Sequence, residues 1–166
     1  LQPVNLGRAA AWMLASLIVE SAVLPHWIPI RWIPQFSFLI LLFAALRSGI
    51  RSGVILGLVL GAGQAFLSAI PGFAVVWVYV GVGALAGAAK SLVFLESPLA
   101  QWLSPIGFGL LAETMFFWMM PWDDAPLGWS SFWRMIRASN LPLTCVLSGF
   151  VYAACHRFIF FSAKKR

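Results

Sequence analysis

The sequence predicts an all-α integral membrane protein with six transmembrane helices in a single domain, residues 1–166, and three observations carry that reading. The chain is 61% hydrophobic and only 10% charged, with a mean hydropathy of +0.91. Soluble domains carry about 25% charged residues. Its apolar residues gather into six runs, about 9–24, 33–46, 53–70, 73–89, 100–120 and 139–156. Spanning a bilayer takes roughly 20 mostly apolar residues per helix, so six spans consume about 120 and leave no room for a soluble catalytic domain.

The third observation is where the cations fall. A net charge of +6 and a pI near 10.2 suggest nucleic acid in a soluble protein, but here the charges mark topology. With the N-terminus inside, the inner segments hold Arg8, Arg47, Arg51, Lys90, Arg157, Lys164, Lys165 and Arg166. The outer loops hold Arg31, Arg134 and Arg137. Eight against three obeys the positive-inside rule and places both termini in the cytoplasm, in a multi-pass membrane protein in contact with lipid and not with nucleic acid.

The first run reads as a retained helix: Arg8 precedes it, Glu20 interrupts it before Pro25, and a small-residue cleavage signature is weak. The chain starts at Leu1, so a few residues including the initiator Met are expected to precede it. The second run, 33–46, is short for a span. Either residues 28–32 add apolar length in a bent form, or the helix is short and buried in protein. In the third, Gly53, Gly57, Gly61, Ala65 and Ala69 recur every four residues and draw a smooth stripe down one helix face. The fourth carries Gly83 and Gly87 with Ala84 and Ala88 beside them, and the Pro71-Gly72 turn predicts that spans three and four pack as a hairpin. The small residues either pack the fold or present a docking face to another membrane protein. Cys145 and Cys155 both fall in the last span and read as apolar-environment thiols without a disulfide.

Polar groups inside spans are costly and therefore informative. Glu20, Gln64 and Glu113 stand out, both glutamates in the outer halves of their helices. They fix helix order through polar contacts, or Glu113 marks a ligand or partner site; His26, Arg31, Arg134 and Arg137 are candidate partners on the same side. Trp27, Trp32, Trp118, Trp122, Trp129 and Trp133 concentrate at the outer face. Within 121–138, Trp129, Phe132, Trp133 and Ile136 follow helical spacing and predict a short amphipathic helix in the last outer loop, either an interfacial anchor or a lid.

No catalytic constellation accompanies these features. The only aspartates are the adjacent Asp123 and Asp124, which excludes a two-helix aspartyl site. Gly-x-Ser-x-Gly, His-Glu-x-x-His and phosphate-loop patterns are missing, and His26 and His156 belong to opposite membrane faces. A non-enzymatic protein without metal or cofactor is the expectation.

The order of features resembles the MreD family of rod-shape-determining proteins, over most of the chain. The resemblance rests on Leu24-Pro25, on Ile33-Pro34-Gln35 opening an apolar run, and on the basic turn Arg47 to Arg51. It continues through Gly57 to Gly61, Gln64 leading into Phe66-Leu67-Ser68, Pro71-Gly72, and Glu113 ahead of Phe116, Phe117 and Trp118. Ala65 stands where the family carries Asp, and Ala69 where it carries Gly. The resemblance implies a non-enzymatic scaffold of the cell-elongation machinery in the bacterial cytoplasmic (inner) membrane that binds MreC, the MreB-linked complex and the peptidoglycan synthase pair. It also implies the six-helix bundle shared with S-components of energy-coupling-factor vitamin transporters. Such a substrate-binding S-component is the alternative function, for which Ala11 and Ala15 supply the helix-one spacing.

A reporter active only in the cytoplasm, fused after Arg166, is expected to be active; a silent fusion contradicts the topology.

Overall fold

The computed structural model describes residues 5–29, 33–67, 72–91, 97–119 and 141–160. Among them the chain is all helical: α1 (Leu6–Ile18), α2 (Phe36–Ser48), α3 (Ile50–Leu67), α4 (Gly72–Ala88), α5 (Pro98–Met119) and α6 (Leu141–Phe160). A π-helical turn, Val19–Val23, and a 3-10 turn, Leu24–His26, prolong α1, and a 3-10 turn, Ala89–Ser91, follows α4. Three stretches are long and apolar enough to cross a membrane: Leu6–His26, Ile50–Leu67 and Gly72–Ser91. Phe36–Ser48 and Pro142–Cys155 are shorter apolar helices. The protein is therefore a multi-pass helical membrane protein. The amphipathic helix expected within 121–138 lies outside the described residues, as do Trp122, Trp129 and Trp133.

α2 occupies the centre. Its 13 residues extend about 20 Å, well short of a hydrocarbon core of about 30 Å, and every residue from Ser37 to Leu46 is buried. The open question about the second run is thereby answered: the helix is short and enclosed by protein. The unbroken apolar run from Phe38 to Leu46 suits that position, since neighbours cover it on every side. α1, α3, α4 and α6 all pack on it. Leu39, Leu41, Leu42 and Leu46 fill the interfaces, and Phe43 meets the Tyr152 ring of α6 at 5.4 Å between centroids. The helix ends at Gly49, whose φ of 98° is the left-handed conformation that glycine tolerates best. The Gly49 N–H donates to Ala45 O at 2.8 Å, and α3 starts at the next residue.

α3 and α4 pack along their whole lengths, backbone on backbone. A Cβ on Gly53 would strike the Gly83 carbonyl, and one on Gly83 would strike that of Gly53. At Gly57 it would meet the Tyr79 carbonyl, and at Gly61 the Cα of Val76 at 2.7 Å. Gly87 lies against the Gly49 to Ile50 turn, where a Cβ would stand 2.6 Å from backbone atoms. Ala65 continues the stripe, its Cβ 3.1 Å from where a Gly72 Cβ would sit, and Ala69 lies outside the described residues. Where water supplies no drive for helices to associate, such van der Waals contact takes its place. Among the described residues the stripe is thus filled by α4.

α5 and α6 are joined by polar contacts. Pro105 sits inside α5 and has no N–H to give to the carbonyl of Gln101, four residues back. The Ser148 hydroxyl of α6 supplies that donor, shared between Gln101 O at 3.0 Å and its own helix's Cys145 O at 2.7 Å. One turn further along, Ser104 Oγ and the buried Tyr152 hydroxyl lie 3.3 Å apart. Cys145 and Cys155 are both free.

The antiparallel order puts Arg8, Arg47, Arg51, Lys90 and Arg157 at one end of the bundle, each in the first or last turn of a helix or just beyond it.

Gly57→Leu is expected to destabilise the protein by about 3 kcal/mol or more, as overpacking against rigid backbone does. Gly107→Leu, at a position with no atom within 4 Å, is expected to cost under about 1 kcal/mol. Unfolding in mixed micelles of rising denaturing-detergent content measures both; equal losses contradict the packing described.

Candidate functional site

Because α2 is shorter than the bundle, its N-terminus opens inside the protein, where its first N–H groups meet no water. An unsatisfied backbone donor in such surroundings costs several kcal/mol. The ends of two other helices, α1 and α6, supply partners. Glu20, in the π-helical turn that ends α1, is only 8% exposed. Its Oε1 accepts from the Ser37 N–H at 2.7 Å and its Oε2 from the Ser37 hydroxyl at 2.8 Å. Thr144 of α6, fully buried, accepts from the Gln35 N–H at 3.0 Å through Oγ1.

The local sequence explains why Glu20 arrives there. Pro25 has no N–H with which to continue the α-helical ladder, although Leu24 before it keeps right-handed helical angles. The preceding turn widens, so that the Leu24 N–H reaches five residues back to Val19 O. Single π-helical turns of this kind often carry functional side chains. Ser16 and Ser21 bind carbonyls of their own helix, Met13 O and Leu17 O, both at 2.8 Å, and so make no claim on the cluster. The carboxylate faces the positive end of the α2 dipole, a favourable place for negative charge.

Beside this cap lies a cavity of about 30 Å³, lined by Gln35, Phe38, Tyr79, Gly109, Ala112, Glu113, Phe116 and Thr144. α2, α4, α5 and α6 each contribute to it. Phe38 and Phe116 pack edge-on against Tyr79, with ring centroids 6.2 and 6.0 Å away. They hold its phenol in place, and its hydroxyl lies within electrostatic reach of both Glu20 and Glu113. Glu113 is half-buried and has no hydrogen-bond partner among the described residues. The volume suits a water molecule or an ion of similar size; a vitamin-sized ligand fills several hundred Å³.

Of the residues singled out in the sequence, Glu20 and Glu113 converge on this region through Tyr79. Gln64 is half-buried on α3 and does not line the cavity. Trp118 is 77% exposed and points away from it. Gly53, Gly57, Gly61, Ala65, Gly83 and Gly87 lie along the α3–α4 seam. Arg31, Arg134 and Arg137 fall outside the described residues. Four polar contributors, Gln35, Ser37, Tyr79 and Thr144, went unweighed as site residues. Tyr79 had a visible signal, as one of only two tyrosines in the chain and at the middle of an apolar span. Among the described residues no three His, Cys, Asp or Glu side chains gather as a metal site.

Glu20→Ala strands both the Ser37 N–H and its hydroxyl and is expected to cost about 3 kcal/mol. Ser37→Ala, which removes one hydroxyl and keeps the backbone contact, is expected to cost about 1 kcal/mol. Unfolding in mixed micelles measures the pair, and equal or reversed losses contradict the capping role.

The chain matches no protein-family model, no curated protein and no solved structure.

Proposed function

We propose that this protein is a non-enzymatic scaffold of the bacterial cytoplasmic membrane that acts by binding other membrane proteins of the cell-elongation machinery. Its partners on this reading are MreC, the MreB-linked complex and the peptidoglycan synthase pair. The helices form an S-component-like bundle of six spans with both termini in the cytoplasm.

The observation that carries the reading is the closely packed interior. α2 is buried over ten consecutive residues, α3 and α4 meet backbone to backbone, and the polar cavity holds about 30 Å³. That volume is an order of magnitude below the several hundred Å³ of a cofactor or vitamin pocket. A rigid body of this kind suits a role in holding partners. The order of motifs resembling MreD, from Leu24-Pro25 to Glu113, supplies the identity of those partners. Basic side chains gathered at one end, Arg8, Arg47, Arg51, Lys90 and Arg157, suit contact with anionic lipid or an acidic filament. Since α4 covers the glycine stripe, partner contact falls to the outward faces, where Trp12, Ile18, Trp77, Trp102 and Phe150 are exposed.

The alternative, a substrate-binding S-component of a vitamin transporter, draws on the convergence of Gln35, Tyr79, Glu113 and Thr144 in the outer half of the bundle. Co-purification from the native host in mild detergent separates the two. MreC or the synthase pair is the expected companion; an ATPase with its transmembrane coupling subunit overturns the scaffold reading.

A further inference from the structure

We propose that the cavity beside the α2 N-terminus is a binding site for a small monovalent cation of sodium size. The site goes beyond the scaffold reading and holds whether or not that reading does. Two independent observations lead to it. The first is Glu113, a carboxylate on α5 that lines the cavity without a hydrogen-bond partner among the described residues. The second is Tyr79, 6% exposed, which lines the same cavity and whose hydroxyl likewise has no hydrogen-bond partner among the described residues. A buried polar group normally finds a partner. Here buried Tyr79 and half-buried Glu113 line one space without one.

The donor set is all oxygen. Glu113 supplies a carboxylate, Tyr79 and Thr144 supply hydroxyl oxygens, and Gln35 supplies an amide oxygen. Oxygen ligands of this hardness suit alkali and alkaline-earth ions and disfavour transition metals. Charge decides between one and two positive charges. The negative charge of Glu20 is met by the Ser37 N–H and hydroxyl at the positive end of α2. That leaves Glu113 alone to be balanced among the described residues, where no Lys, Arg or His lines the cavity. A single positive charge neutralises it, whereas a divalent ion would leave one uncompensated charge in a medium of low dielectric. Size sets an upper limit: about 30 Å³ takes an alkali ion no larger than a water molecule, which admits sodium.

The test compares the unfolding temperature of the purified chain in detergent with sodium chloride and with choline chloride at equal ionic strength. Sodium at about ten times its dissociation constant is expected to raise it by about 3 °C, with cesium giving less. Glu113→Gln and Tyr79→Phe are expected to abolish the difference. Identical unfolding in sodium and choline overturns the proposal, as does a sodium effect that survives in both variants, which puts the ion elsewhere. Stability that follows pH but not sodium also overturns it and identifies the occupant as a proton. Should Glu113→Gln fail to fold, radioactive sodium binding to the wild-type protein and to Tyr79→Phe decides: retention by the wild type and loss in the variant is expected, and no retention by the wild type refutes the site.

Discussion

The structure is organised around a helix that is too short. α2 covers about two thirds of a membrane's apolar thickness and lies wholly inside the protein, so the start of the helix has neither water nor headgroups to bond. The hydrogen bonds from Ser37 to Glu20 resolve that constraint. They require α1 to end beside α2 with a carboxyl group turned inward, and the wide turn before Pro25 provides it. They also tie the first helix to the centre of the bundle, while Thr144 ties the last helix to the same point. A backbone defect that would be fatal in lipid becomes the junction of three helices.

Other defects are handled in the same manner. Pro105 leaves the Gln101 carbonyl without its helical donor, and the Ser148 hydroxyl approaches from the neighbouring helix. The close approach of α3 and α4 is possible because glycine stands wherever one backbone lies on the other. In each case one residue creates a local exception and a residue far away in sequence compensates it. The polar cavity follows from the first of these junctions, since it forms where the α2 N-terminus, Tyr79 and Glu113 meet.

Much of this was legible in the sequence, and the illegible part has a physical cause. Periodic apolar runs bounded by prolines and cations mark the helices, because the bilayer imposes length and composition on each one separately. The four-residue spacing of Gly53, Gly57 and Gly61 marks a face for close contact, but spacing on one helix does not say which neighbour fills it; α4 does. Glu20 is conspicuous as a charge in an apolar run, whereas Ser37 and Thr144 are not. Hydroxyl side chains commonly bond their own helix, as Ser16, Ser21 and Thr114 do here. Only the fold separates those from the ones that reach across. The burial of α2 was one of two readings left open by its length, and enclosure by α1, α3, α4 and α6 decided it.

Amide hydrogen exchange at the start of α2 tests the central claim most directly, with the protein in detergent or nanodiscs and exchange read by mass spectrometry. A buried N-terminus held by Glu20 predicts that the N–H groups around Ser37 exchange as slowly as those in the middle of the helix, near Leu41 and Leu42. It also predicts that Glu20→Ala selectively removes the protection of the first turn. Rapid exchange around Ser37 in the unaltered protein, or protection indifferent to the loss of Glu20, would contradict it.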